Sequence, residues 1–202
     1  LAASFFAIEI LIAGAIFWSA FLPIFTAAFV ASTTSHLLGL EKFSFPLSSS
    51  IGFSPSLLLK LIALGLLLGL GGRFFTTLLH YAKQWVVKRI KNPSHRIFLL
   101  GLLLSFLMLI LPMDRYSGLG TNLISASFSG EGIFAYDWLL KLLLTIITLS
   151  AGFQGGEVTP LFAIGASLGI LLGNFLGLPL LLAAALGYAA LFGSATNTLI
   201  AP

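Results

Sequence analysis

The sequence contains no cysteine and only 8% charged residues. Without cysteine there is no disulfide framework, no thiolate metal site and no thiol redox chemistry, so no compartment is supported or excluded on that ground. The three histidines, at 36, 80 and 95, lack ligand spacing, which argues against a histidine-based metal site. No nucleophile–base pair, metal-ligand cluster or phosphate loop stands out, so an enzyme is the least supported class and no cofactor is implied. Acids are scarcer than bases, six against ten, for a net charge of +4. The bases mostly flank apolar runs, which is not a nucleic-acid signature. What the chain has in abundance is apolar surface: 58% hydrophobic residues and a mean hydropathy of +1.10. That composition predicts a polytopic, multi-pass protein of the lipid bilayer.

Against this background one stretch carries chemistry: Gly155-Gly156-Glu157-Val158-Thr159-Pro160, followed by Leu161 to Gly169. A carboxylate and a hydroxyl beside two glycines and a proline are costly at membrane depth. Pro160 suits a first helical turn, where its missing N–H would have no partner anyway, and Thr159 before it is a good N-cap. The glycines form the bend leading into this helix. Unpaired N–H groups at such a start, with the positive end of the helix dipole, suit an anion wherever the loop lines a cavity. Glu157 has two readings. An ionised carboxylate repels a bound anion, so it either swings away or takes up a proton, as a proton-linked anion transporter requires. Alternatively it only caps the helix end.

Residues 1–35 read as a first membrane segment or a closely spaced pair, with Pro23 as a break or kink. Glu9 serves either a proton route or a backbone contact at a helix end, and the structural role is preferred. Residues 41–56, with Glu41, Lys42, Pro46, Ser48 to Ser50 and Pro55, read as a surface loop. Residues 57–82 form a long helix whose Gly65, Gly69 and Gly72 allow close packing on a neighbour; Arg73 either lines an anion path or snorkels to the interface, and snorkelling is preferred. Residues 83–96 hold Lys83, Lys88, Arg89, Lys91 and Arg96 without an acid, a loop placed in the cytoplasm by the positive-inside rule. A short run at 97–111 ends at Pro112. Asp114 and Arg115 then read as a surface pair or cap in a polar, glycine-rich connection to Asn122. Another short run, 138–153, is entered through Asp137 and Lys141. Such broken, short segments are the pattern of transporters with discontinuous helices meeting near the midplane.

Beyond the motif, Gly165, Gly169, Gly173 and Gly177 recur every fourth residue, giving a thin helix face that needs a close partner. The run 178–193 leads into Thr196-Asn197-Thr198, either a second ion-facing helix start or a polar helix end. The chain starts at Leu1 inside an apolar run and stops at Ala201-Pro202, which reads as an internal fragment, a single transmembrane domain over 1–202 incomplete at both ends.

Gly155 to Pro160 with Gly165-Ala166-Ser167-Leu168-Gly169 resembles the anion-binding loop and helix of the CLC chloride channel and transporter family. Glu-Val-Thr before Pro160, where most of that family has an aliphatic and an aromatic residue, resembles its bacterial fluoride-specific branch. Phe5-Phe6-Ala7-Ile8-Glu9 resembles the helix ending the family's first inverted repeat, and Tyr116-Ser117-Gly118-Leu119-Gly120 its glycine-rich loop before the motif. The resemblance implies an all-α fold of tilted, discontinuous helices in inverted halves, here in part, and a homodimer with one pore per subunit. It implies export of fluoride in exchange for protons across the bacterial inner (plasma) membrane. Gly155, Gly156, Glu157, Val158, Thr159 and Pro160 would form the anion path, and Glu157 would couple protons. Ile10 stands where many chloride/proton exchangers carry a second acid. The family's gating glutamate and its late-helix anion-binding tyrosine would fall outside 1–202, and Tyr188 does not replace the latter. A chloride channel or chloride/proton exchanger of the same fold, and a membrane scaffold, are the competing readings.

Overall fold

The computed structural model describes residues 2–9, 18–40, 52, 54–130, 132–198 and 201, all helical or connecting, without a strand among them. They divide into two compact units, residues 1–50 with 196–202, and residues 51–195.

In the first unit, α1 (Ala2–Glu9) precedes a 3-10 turn (Trp18–Ala20) that runs into α2 (Phe21–Leu37). Pro23 therefore sits in the opening turn of α2, where its missing N–H costs nothing, and is a starter rather than the expected kink. The Phe5 ring meets Phe25 edge-on at 5.5 Å, which ties the two helices together. Glu9 ends α1 and accepts a 3.0 Å hydrogen bond from the backbone N–H of Ala201, the structural contact preferred above. Ile10, Glu41, Lys42, Pro46 and Ser48 to Ser50 lie outside the described residues.

The second unit opens with α3 (Pro55–Arg89). Ser54 caps it, accepting from Leu57 N at 3.2 Å, and Pro55 occupies the first helical position. At 35 residues α3 is about 52 Å long, well beyond the ~30 Å hydrocarbon core. Lys83, Lys88 and Arg89, expected in a loop, are thus the last turns of this helix, and only Ile90 to Asn92 separate it from α4 (Pro93–Ile110). Asn92 caps α4 through Ser94 N at 3.0 Å, so the helix starts earlier than the apolar run and reaches 18 residues. Leu111 before Pro112 is forced extended, which ends it. After α5 (Met113–Tyr116) and α6 (Thr121–Ser129) come α7 (Asp137–Ala151), α8 (Val158–Leu176) and α9 (Leu180–Thr196). Three of these helices, α3, α4 and α8, are long and apolar enough to cross a membrane.

Helix α8 is the core. It is buried almost continuously from Pro160 to Gly173, whereas α4 buries no residue and turns its apolar face outward. The glycine stripe explains the close approach. A Cβ on Gly165 would lie 2.3 Å from Gly187 O, one on Gly169 2.3 Å from Ala183 O, and one on Gly173 2.3 Å from Ala183 Cβ. α9 is therefore the close partner that the four-residue repeat requires. Gly177 does not extend the stripe. It takes φ +61° in a Schellman closure, with Leu178 N donating to Gly173 O at 2.9 Å and Gly177 N to Asn174 O at 3.3 Å. On α3 the thin face is Gly71 and Gly72, the latter against Ser194, Ala195 and Leu191, while Gly65 and Gly69 face open space instead of the expected neighbour. Arg73 is exposed, as snorkelling requires.

The contrast is testable. Gly187→Ala puts a Cβ 2.2 Å from Gly165 O and is expected to destabilise by about 1–3 kcal/mol. Gly69→Ala, in open space, is expected to be neutral or stabilising by up to about 1 kcal/mol. Thermal unfolding of the purified variants in detergent compares them directly.

Candidate functional site

The motif forms the end of the link from α7 to α8. Gly152 closes α7 at φ +98°, with Arg96 Nε of α4 donating to Ala151 O at 3.0 Å and so satisfying a helix-end carbonyl. Residues 153–156 then run without regular structure to Glu157, which holds the N-cap position of α8. The helix thus begins two residues earlier than a Thr159 cap predicts. Val158 and Thr159 are its first residues and Pro160 the third, still within the first turn, where N–H groups have no helical acceptor. Glu157 O accepts the first helical bond, from Leu161 N at 3.0 Å, but the Glu157 side chain makes no capping bond. Its carboxylate is exposed. No acceptor among the described residues takes the backbone N–H of Gly156, Glu157, Val158 or Thr159. The motif is thus a row of unengaged donors at a helix N-terminus with one uncommitted acid beside it.

Beside the loop lies a cavity of ≈ 300 Å³, lined by Gly155, Gly156 and Pro160, by Tyr116, Gly118 and Lys141, and by apolar residues that include Met108, Leu144 and Leu149. One lining residue, Tyr116, belongs to a polar network that sequence spacing does not reveal. Arg115 pairs with Asp137, and the side chain of Asp114 lies outside the described residues. Asp137, fully buried at the start of α7, accepts from Arg115 through both of its oxygens, from Tyr116 OH at 2.5 Å and from Phe134 N at 2.8 Å. These groups lie on α5 and at the first residue of α7, outside the three spanning helices. Burial pushes the Asp137 carboxyl up, but the bonds from Arg115, Tyr116 and Phe134 N–H outweigh it and hold the group below the ordinary carboxylate range. Burial, reinforced by Asp137, pushes the Tyr116 phenol up. Arg115 is raised by its bond to Asp137.

Lys141 follows one turn after Asp137. It is 3% exposed and donates to Tyr116 O and Gly118 O, each at 2.9 Å. The glycine-rich loop is shaped for it: Gly120 takes φ +85°, and a Cβ there would lie 2.8 Å from both Lys141 Cε and Ala163 Cβ of α8. The i, i+4 spacing of Asp137 and Lys141 was the available signal, and it suggests a pair that the structure does not form.

Thr196, Asn197 and Thr198 belong to the first unit. Thr196 is the last residue of α9, Asn197 turns the chain at φ +56°, and the two threonine hydroxyls bond each other at 2.8 Å. Thr196 thus stands at a polar helix end. Tyr188 stacks on Phe162 at 4.0 Å, a packing contact between α9 and α8. Among the described residues no group of three or more His, Asp or Glu could hold a metal.

The comparisons agree with this architecture. Residues 1–202 match the family model described as voltage gated chloride channel. A chloride/fluoride channel protein of Pseudomonas syringae pv. tomato is 34% identical over all of this chain and 46% of its own length. A voltage-gated ClC-type chloride channel ClcB of Salmonella dublin is 28% identical over 88% of this chain and 43% of its own length. The crystal structure of a CLC-type fluoride/proton antiporter superposes with a TM-score of 0.95 at 54% identity, over 100% of this chain and 51% of that one. The chain thus spans about half the length of the proteins it matches. Its match to the family model along its whole length, with the same helical architecture, places the chain in the voltage gated chloride channel family.

Proposed function

We propose that this chain serves fluoride export in exchange for protons across the bacterial cytoplasmic membrane. One observation carries the reading: Glu157 is exposed, makes no capping bond and stands beside four backbone N–H groups without acceptors. A carboxylate that only capped the helix would be spent on those donors. Left uncommitted, it can bind a proton next to an anion that the N–H row holds. The 54% identity to a fluoride/proton antiporter supports the same assignment.

Gly155 and Gly156 leave the backbone open to the ion, Val158 and Thr159 line the path, and Pro160 fixes the first turn without competing for the anion. Protonated Glu157 donates a hydrogen bond to fluoride, a small, hard anion with high demand for donors. The working unit is a homodimer in the bilayer within one transmembrane domain.

The test is ion efflux from liposomes reconstituted with the full-length protein, loaded in turn with fluoride and chloride while internal pH is followed. Fluoride efflux with matched proton uptake is the expected result. Chloride flux without proton movement would instead mean a channel, the activity named for the ClcB relatives, and would overturn the exchanger. If the chain were only a scaffold, replacing Glu157 and Thr159 together with Ala would change neither flux.

A further inference from the structure

Helices α3, α4 and α7 leave a cleft of ≈ 400 Å³ between them, lined by Tyr81 and Trp85 of α3, Leu100 of α4, and Ile146 and Ile147 of α7. Ile146 is 5% exposed, whereas Tyr81 and Trp85 are 64% and 63% exposed, so the cleft is deep at α7 and open at the two rings. Ser150 also lines it, but its hydroxyl donates to Ile147 O at 3.1 Å and is engaged there.

The cleft is apolar along its length and cationic at one end. Leu78, Tyr81, Ala82, Trp85 and Val86 recur every one turn on a single face of α3. The next position on that face is Arg89, whose guanidinium stands 5.7 Å from the centroid of the Trp85 ring. From Leu78 to Arg89 the face runs about 16 Å. Exposed Lys88 adjoins Arg89, and exposed Lys91 follows in the connection to α4. Residues 83–96 contain no acid, and no ion pair reaches these three cations among the described residues. Arg96 is a different case, since it is engaged with Ala151 O. Tyrosine and tryptophan favour the headgroup level of a bilayer, with their apolar edges toward the hydrocarbon. The direction from Leu78 to Arg89 is therefore the direction from acyl chains to phosphates.

We propose that this cleft binds one anionic phospholipid of the cytoplasmic leaflet. An acyl chain lies on Ile146 and Ile147 between the α3 rings and Leu100, and Arg89, with Lys88 and Lys91, holds the phosphate. Burial of the chain supplies affinity, and the cations choose the headgroup. The arginine fork suits a phosphate because it reaches two of its oxygens at once. A zwitterionic lipid brings its own ammonium and gains little from three cations, and a free phosphate has no chain to fill the cleft. None of these residues lines the cavity beside Gly155 to Pro160, so the inference stands whether or not the chain moves fluoride.

The test is native mass spectrometry of the full-length protein titrated in detergent with phosphatidylglycerol or phosphatidylcholine. Phosphatidylglycerol is expected to be retained about ten-fold more tightly. Arg89→Gln, on the exposed end of α3, should weaken it about five-fold and leave phosphatidylcholine unchanged. Ala82→Phe keeps every charge and fills the cleft, so it should remove the phosphatidylglycerol adduct while the unfolding temperature in lipid-free detergent stays at the wild-type value. If that variant folds poorly, Leu100→Phe fills the same space from α4. Equal retention of the two lipids would mean ordinary bilayer contact and overturn the site. Weaker binding in Arg89→Gln with full retention in both cleft-filling variants would mean a charged surface that holds headgroups alone, and would overturn it too.

Discussion

Replacing Glu157 with Gln is expected to leave the protein folded and to reduce fluoride-driven proton movement to the level of protein-free liposomes. Glu157 is exposed, accepts no capping bond and contributes only its backbone carbonyl to α8, so the substitution should shift stability by no more than about 0.5 kcal/mol. Glutamine has nearly the same shape and always offers an N–H donor, so the anion keeps a partner. What it lacks is a proton to give up. If the coupling step is the protonation and deprotonation of this one acid, the variant holds fluoride but cannot exchange it for a proton. Internal pH during fluoride efflux reads this directly, and equilibrium binding to the same preparation shows whether the anion is still held. Wild-type proton movement in Glu157→Gln would remove Glu157 from the mechanism.

The second large effect concerns Asp137. Its carboxylate is fully buried and receives Arg115, Tyr116 OH and Phe134 N–H. Asp137→Ala leaves all three donors without their acceptor. The side chain of Arg115 is 23% exposed and can recover some hydration, so the loss belongs at the lower end of the range for breaking a buried pair, about 3 kcal/mol. Thermal unfolding in detergent measures it. The sign with pH follows from the depressed carboxyl. A group held below its unfolded value stabilises the fold above that value, ~3.9, and its contribution disappears as pH falls through the folded value. Acid unfolding of the wild type should therefore steepen below about pH 4, and Asp137→Asn should flatten that limb. An Asn variant with the wild-type acid limb would mean that other carboxyls govern it.

How much of this was legible beforehand differs from one element to the next. Local chemistry carried the reading wherever a residue's own backbone demand or spacing decided the outcome. The Gly165–Gly169 spacing requires a thin face because a Cβ at either position meets a backbone carbonyl, so a tight partner was readable before α9 was identified as that partner. The apolar residues come in continuous runs and not in the alternating pattern of a closed barrel, the other fold that satisfies backbone groups in a bilayer, so membrane helices were readable. The polar break at Gly155 to Pro160 was visible because so little else in the chain is polar.

Helix limits and charge pairing were decided by the fold. Thr159 and Pro160 have the local preferences of a cap and a first residue, yet α8 starts at Val158, because any first-turn position tolerates a proline and packing chose among them. Lys83 to Arg89 continue α3 because no glycine or proline interrupts them; the helix ends at its C-cap Ile90, and Asn92-Pro93 open the next one. Arg115 pairs with Asp137, 22 residues on, and Lys141 ignores an acid one turn away for two loop carbonyls. Spacing along a chain tells which charges can meet. Which of them do is settled by how the helices pack, since in a low-dielectric interior the pairing that leaves fewest polar groups unsatisfied prevails.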